Sequence, residues 1–172
     1  MPAVLLDPLP REIALLTERR RALGQDHLDE VWDGVLHMVP APFFEHAALG
    51  AQVKSLFRTP AAAAGLVVTD EFNLGDSEQD FRVPDGGLHR PGAAGVWQPT
   101  AALAIEIVSP GDETWQKLPF YAAHQVDELL IVDAQQQTVQ WLALAGDEYR
   151  PVEHSGLIDL SAATLAEQID WP

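Results

Sequence analysis

A single carboxylate inside an apolar run limits what this chain can fold into. Residues 101–108 read AALAIEIV, in which Glu106 is the one polar side chain. Such a run is typical of a central strand that is buried on both faces. Burial of an unpaired charge is very unfavourable, so Glu106 must be paired with a cation, protonated or bound to a metal. We expect a metal-binding or catalytic role, with a structural salt bridge as the alternative.

A second carboxylate, Asp85, follows a proline at the end of the preceding predicted strand. Proline in that place is typical of an edge strand or a bulge. Carboxylates on two adjacent strands can converge on one divalent cation. Mg²⁺ takes such oxygen ligands and leaves positions for substrate phosphates. Asp85 and Glu106 together therefore predict a metal site, whereas Pro84-Asp85 alone would fit an ordinary turn.

Lys117 is the only basic residue between Arg90 and Arg150, and it follows the strand that carries Glu106. Tyr121 has the i+4 spacing from it that places two side chains on one helix face. A lysine near a bound metal can orient the attacking water or stabilise negative charge on the phosphate. The alternative is a surface lysine beside a half-buried tyrosine.

The charge of the chain is unexpected for a protein that binds nucleic acid. The net charge is −16, from 26 acidic and 10 basic residues. Lys and Arg supply most of the affinity of proteins for phosphates, because they release counterions. An acidic surface either serves solubility or indicates a partner other than nucleic acid. Arg19, Arg20 and Arg21 cluster near the end of a predicted helix, where cations favour the helix dipole.

Several classes of protein are excluded by what the sequence lacks. It has no cysteine, which excludes thiol catalysis and fits a reducing compartment. No apolar stretch is long enough to span a membrane, and the N-terminal MPAVLLDPLPRE lacks the basic segment of a secretory signal. Motifs for ATP, dinucleotides and serine hydrolysis are absent, as is zinc-protease histidine spacing. We expect one cytoplasmic domain over residues 1–172, with no membrane partner.

Hydrophobic periodicity and turn residues predict alternating helices and strands. The helices are predicted at 10–24, at 43–57 and from about Gln116 to Ala123. The strands are predicted as a pair over 28–39 that turns at Asp33-Gly34, then at 65–75, 101–108, 128–133 and 138–144, with a loop over 86–95.

The order and spacing of several short motifs resemble the Uma2 (DUF820) family of the PD-(D/E)XK nuclease superfamily. The resemblance covers about residues 12–145. Its motifs are Pro84-Asp85, the strand end Ala104-Ile105-Glu106-Ile107-Val108-Ser109-Pro110, the series Asp112, Lys117 and Tyr121, the strand Leu130-Ile131-Val132-Asp133, and upstream Glu30-x-x-Asp33-Gly34 and His46.

This resemblance implies an α/β (α+β) fold with a restriction-endonuclease-like core, in which helices flank a mixed central β-sheet. It implies Mg²⁺ (or Mn²⁺) held by Asp85, Glu106 and a backbone carbonyl near Ile107, with Glu30 as an auxiliary acid. Val108 occupies the usual place of the catalytic lysine in the D/E-x-K motif, and Lys117 on the next helix is the implied replacement.

The sequence therefore favours a Mg²⁺-dependent endonuclease that acts on DNA, in which His46 helps to tune the site. One alternative is a non-catalytic binding or assembly module that keeps the nuclease fold. The net charge favours it, as does Gly86-Gly87 in place of the apolar residues that usually follow PD. Another alternative is a phosphoesterase with a small substrate. We also expect a homodimer with an interface at the strands that carry Trp141 and Leu142.

Overall fold

The computed structural model describes residues 10–109, 111 and 113–172. The N-terminal residues 1–9, Pro110 and Asp112 lie outside the described residues. The described helices are α1 (Arg11–Ala22), α2 (Phe44–Ala63), α3 (Leu118–Ala123) and α4 (Ala162–Gln168), with a 3-10 turn at Thr114–Gln116. The described strands are β1 (Glu30–Trp32), β2 (Val35–His37), β3 (Val67–Thr69), β4 (Asn73–Ser77), β5 (Asp80–Arg82), β6 (Gly86–His89), β7 (Trp97–Gln98), β8 (Leu103–Val108), β9 (Glu128–Asp133), β10 (Thr138–Ala145) and β11 (Glu148–Val152).

These strands form two mixed sheets. The larger has the order β11-β10-β9-β8-β6-β3, in which β8 and β9 run parallel and the other neighbours antiparallel. The smaller has the order β2-β1-β5-β4-β7, in which β4 and β7 run parallel. The predicted α/β (α+β) class, a mixed sheet flanked by helices, is confirmed, and the second sheet is an addition to it.

The central strand β8 has a different helix on each of its faces. Leu103, Ile105 and Ile107 pack in one apolar cluster with α2 residues such as Val53. Ala104 packs in a second cluster with Tyr121 of α3. Successive side chains of a strand point to opposite faces, so Glu106 shares the face of Ala104. The strand therefore directs its one carboxylate towards α3.

The loop predicted over 86–95 is wrong in its first part. Gly86–His89 forms β6, a fully buried strand that lies between β3 and β8. The two glycines allow close packing there, because an added Cβ at Gly87 would lie 2.7 Å from the Leu103 carbonyl oxygen. The strand predicted over 65–75 is divided between the two sheets as β3 and β4.

The helix predicted over 43–57 continues as α2 to Ala63, since alanine has the highest helix propensity. The elements β11 and α4 were not predicted. Trp141 and Leu142 are only 1% and 4% exposed within a single chain, so they cannot supply the predicted dimer interface. In the part of the chain that the structure describes, no helix is long and apolar enough to cross a membrane.

Gly87→Ala is expected to destabilise the fold, because its Cβ would meet the Leu103 carbonyl oxygen at 2.7 Å and the Phe72 ring at 2.8 Å. We expect a loss of roughly 1–3 kcal/mol in the free energy of unfolding, measured by urea denaturation. Gly86→Ala is the matched control. Its Cβ would meet the Thr69 carbonyl oxygen at 3.0 Å and the flexible Lys54 side chain at 3.1 Å, so the loss should be smaller. Equal stability of Gly87→Ala and wild type would contradict the tight packing of β6.

Candidate active site

The residues predicted to carry the chemistry line one cavity of about 1320 Å³. It lies where the two sheets and the start of α2 meet, and it includes Glu30, His46, Asp85, Glu106, Ile107 and Lys117. The fold therefore brings these residues to the same cavity, although they come from distant parts of the sequence.

Asp85 lies just before β6 and is held against β8. Its backbone N–H donates to the Ile105 carbonyl oxygen at 2.9 Å, and its Oδ2 accepts from the Ile107 N–H at 2.7 Å. Its Oδ1 lies 2.8 Å from His46 Nε2. These contacts fix the Asp85 carboxylate beside the strand that carries Glu106.

Lys117 lies between two buried carboxylates. Its Nζ is 2.9 Å from Glu30 Oε1 and 3.1 Å from both carboxylate oxygens of Glu106. Each acidic side chain is 4% exposed and the lysine 13%. The Tyr121 hydroxyl also donates to Glu106 Oε1, which gives this residue a contact in the site that sequence reasoning left open. Lys117 is therefore the shared partner of two buried carboxyl groups.

Glu30 belongs to β1 of the smaller sheet and is fixed by two further donors. Trp32 Nε1 donates to its Oε2 at 2.7 Å, and the Val83 N–H donates to its Oε1 at 2.8 Å. Val83 immediately precedes Pro84-Asp85. Glu30 therefore connects the smaller sheet to the segment that carries Asp85.

The charges in this cluster oppose one another. Burial raises the pKa of Glu106 to about 8; Lys117 opposes that rise, whereas the negative charges of Asp85 and Glu30 add to it. Burial lowers the pKa of Lys117, but attraction to Glu106 and Glu30 outweighs burial and raises it overall. Lys117 is therefore cationic, and near neutral pH one proton resides on Glu106 in the absence of a further cation.

His46 contacts Asp85, which lies just before β6, and Ser109, which lies just after β8. Its Nε2 faces Asp85, and its Nδ1 lies 3.0 Å from Ser109 Oγ. The two ring nitrogens of His46 therefore connect the Asp85 carboxylate to the Ser109 hydroxyl. Ser109 thus has a contact that its place in the sequence motif did not reveal.

Two cavity residues on α2, Lys54 and Arg58, were missed by sequence reasoning. The available signal was their i+8 and i+12 spacing from His46, which places all three on one helix face. His37 and Glu113 also line the cavity and lie 3.1 Å apart. No sequence pattern connected these last two residues.

The donor chemistry of the cavity fits a hard divalent cation. Within the described residues, no group of three or more His, Asp or Glu side chains is arranged to hold a metal ion. Nevertheless Lys117 contacts both Glu30 and Glu106, and the negative charge of Asp85 acts on Glu106 and on Lys117. A pair of carboxylates with a backbone carbonyl is a ligand set that Mg²⁺ accepts, because it retains several waters.

A family profile described as "Uma2: Putative restriction endonuclease" matches residues 18–170. The chain belongs to the Uma2 family. Its fold is similar to the crystal structure of "a putative nuclease belonging to DUF820" from Anabaena variabilis ATCC 29413, with a TM-score of 0.67 and 17% sequence identity over 81% of this chain and 90% of that one. The family resemblance found in the sequence is thereby confirmed.

A second solved structure, a DrdV–DNA complex studied by cryo-electron microscopy, matches 67% of this chain and 10% of its own. Its TM-score is 0.37 at 18% identity, so we draw nothing from it. Among curated protein sequences, none matches this Uma2 chain.

The metal-free stability should depend on pH through Glu106. Its pKa in the fold is about 8, against 4.5 for an ordinary glutamate, so between these values the folded state binds more protons. The stabilisation is fully present below about pH 4.5 and is lost as pH rises through 8, by a few kcal/mol. Glu106→Gln should flatten this dependence in urea melts with EDTA. The exposed Glu148→Gln is the control, and an unchanged slope in Glu106→Gln would contradict the assignment.

Proposed function

We propose that this Uma2 protein is a Mg²⁺-dependent endonuclease that hydrolyses phosphodiester bonds in DNA. The observation that carries the proposal is that Glu30, Asp85, Glu106 and Lys117 line one cavity, in which Lys117 contacts Glu30 and Glu106. Membership of a family described as restriction endonucleases supports the reaction class. The cytoplasmic location and the single domain over residues 1–172 remain predictions.

Asp85, Glu106 and the backbone carbonyl of Ile107 would hold Mg²⁺ or Mn²⁺. When bound, such an ion stabilises charge on the phosphodiester and lowers the pKa of an attacking water. Asp85 is already oriented for this role, because His46 and the Ile107 N–H fix both of its oxygens. Its rigidity reduces the entropy that ligand binding would otherwise cost.

Lys117 is proposed to stabilise the developing negative charge on the substrate phosphate and to orient the nucleophile. Its Nζ reaches Glu106 from the segment before α3, which supports the displaced position of this lysine. Glu30 would act as the auxiliary acid, because it would keep Lys117 in place when Glu106 binds a metal ion. Tyr121 fixes the orientation of the Glu106 carboxylate through its hydroxyl.

One observation favours the alternative of a non-catalytic binding module. Among the described residues, six acidic side chains line the cavity against three basic ones, namely Glu30, Asp70, Glu71, Asp85, Glu106 and Glu113 against Lys54, Arg58 and Lys117. Without a bound cation, this surplus would repel a phosphate. Cleavage assays distinguish the two functions.

Wild-type protein is expected to cleave plasmid or single-stranded DNA with Mg²⁺ or Mn²⁺ and to be inactive in EDTA. Glu106→Ala should reduce the rate by at least about a hundredfold, since it removes a metal ligand. Arg150→Ala is the control, because Arg150 lies on β11 away from the cavity lining. Equal rates for wild type and Glu106→Ala would refute the assignment of the site.

A thermal melt gives a second readout of the same prediction. Mn²⁺ should raise the melting temperature of wild type through binding linkage, and Glu106→Gln should lose that rise. In EDTA, Glu106→Gln should melt no lower than wild type, because Glu30 still pairs with Lys117. A lower melting temperature in EDTA and no Mn²⁺ effect on wild type would make Glu106 a purely structural partner of Lys117.

We also propose the homodimer, because two sites related by a two-fold axis can act on both strands of DNA. The apolar surface available for it is on α1, where Leu15 and Leu16 are 55% and 43% exposed. Light scattering at micromolar concentration should give the dimer mass, and Leu16→Glu should give the monomer mass. A monomer mass for wild type would refute this part of the proposal.

A further inference from the structure

One face of α2 extends from the candidate active site along the cavity. His46, Gly50, Lys54 and Arg58 recur at i+4 spacing, so they form a continuous stripe that slants by about 40° per step around the helix. All four line the cavity that contains Asp85. At 1.5 Å per residue, the helix rises about 18 Å between the first and the last of them.

Gly50 brings this face close to the site. An added Cβ there would lie 3.2 Å from Ile107 Cδ1, so any larger residue would require that side chain to shift slightly. One turn later, Lys54 Nζ donates to the backbone carbonyl oxygen of Asp85 at 3.2 Å. Arg58 follows one further turn from the site. The two cations therefore form a line that leads away from Asp85.

Arg58 is the cation in the cavity with capacity for an anion. The ten basic residues all fall in the described part of the chain, and of these only Lys54, Arg58 and Lys117 line the cavity. Lys117 is paired with Glu30 and Glu106, and Lys54 with Asp70. Arg58 is exposed and forms no ion pair with any residue that the structure describes.

An aromatic side chain lies at the other end of the same face. Phe43 immediately precedes α2, is 77% exposed and lines the cavity near His46. An exposed phenylalanine and a cation that line one cavity are a combination that binds single-stranded nucleic acid, in which bases stack on rings and phosphates contact Lys and Arg.

We infer that one separated strand of nucleic acid lies along this face of α2, with a base against Phe43 and a backbone phosphate at Arg58. The inference rests on the proposed function, since the strand would present its scissile phosphate at Asp85 and Glu106. One stacked strand carries a phosphate about every 3.4 Å, so the face spans roughly five of them.

Two exposed carboxylates beside Lys54 disfavour a paired duplex. Asp70 and Glu71 both lie within ion-pair distance of Lys54 Nζ, with 76% and 43% of their side chains accessible. Two acids therefore share this one cation, so the phosphates of a second strand would meet a net negative charge. A dimer would offer two such faces, one for each separated strand.

Fluorescence anisotropy with a labelled oligo-dT probe tests this inference, with Ca²⁺ in place of Mg²⁺ to supply a divalent cation. Arg58→Ala should bind more weakly, and the slope of log K against log salt should fall by about 0.7, the value for one phosphate contact on a single strand. Phe43→Ala should weaken binding by roughly five- to a hundredfold through lost stacking. Arg150→Ala is the matched control and should leave both affinity and slope unchanged.

Tighter binding of oligo-dT than of a blunt duplex, with the loss confined to Arg58→Ala and Phe43→Ala, would support the inference. Unchanged affinity and salt slope in Arg58→Ala would overturn it, as would a duplex bound as tightly as the single strand. Absence of cleavage by a wild type that still binds through Arg58 would refute the proposed function and leave the strand position intact. Cleavage by a protein whose binding of DNA does not depend on Arg58 would support the proposed function and refute the strand position.

Discussion

The contact of Lys117 with Glu30 and Glu106 is the interaction on which the site depends. Glu30 belongs to the smaller sheet, Glu106 to the central strand of the larger one, and Lys117 to the segment before α3. Burying an ion is costly unless partners surround it, so the three elements must meet closely. The contact that joins the two sheets is therefore also the contact that assembles the acids.

The sequence predicted Glu106 because its neighbours on both sides are apolar. Glu128 shows the limit of that reasoning, since it is equally buried but stands at the start of its strand. Trp141 Nε1, Ser155 Oγ and the Gly156 N–H donate to it, and two of these donors follow β11. Its burial depends on a distant segment, which no local pattern reveals. Three neutral donors satisfy Glu128, whereas Glu106 shares one lysine with a second acid.

Other parts of the fold were obscured by local composition. Gly86-Gly87 is typical of a loop, yet β6 lies so close to Phe72 and the Leu103 carbonyl oxygen that a side chain does not fit. Glycine is required here because neighbouring atoms leave no room for a Cβ, and not because the backbone forms a turn. The role of Lys54 and Arg58 was hidden for another reason: helical spacing shows that residues share a face, but only the tertiary fold shows that this face borders the site.

The acidic residues of this cavity determine how a metal ion and a phosphate would bind there. Glu106 holds a proton near neutral pH because burial, Asp85 and Glu30 together outweigh Lys117. A divalent cation would displace that proton and offset the surplus of carboxylates in one step, since metal binding requires the deprotonated ligand. Under the proposed function, a phosphate would then meet Arg58 and the cation, whereas the metal-free cavity would repel it. Binding of substrate and of metal should therefore be coupled, and the net charge of −16 would suppress contact with nucleic acid away from this site.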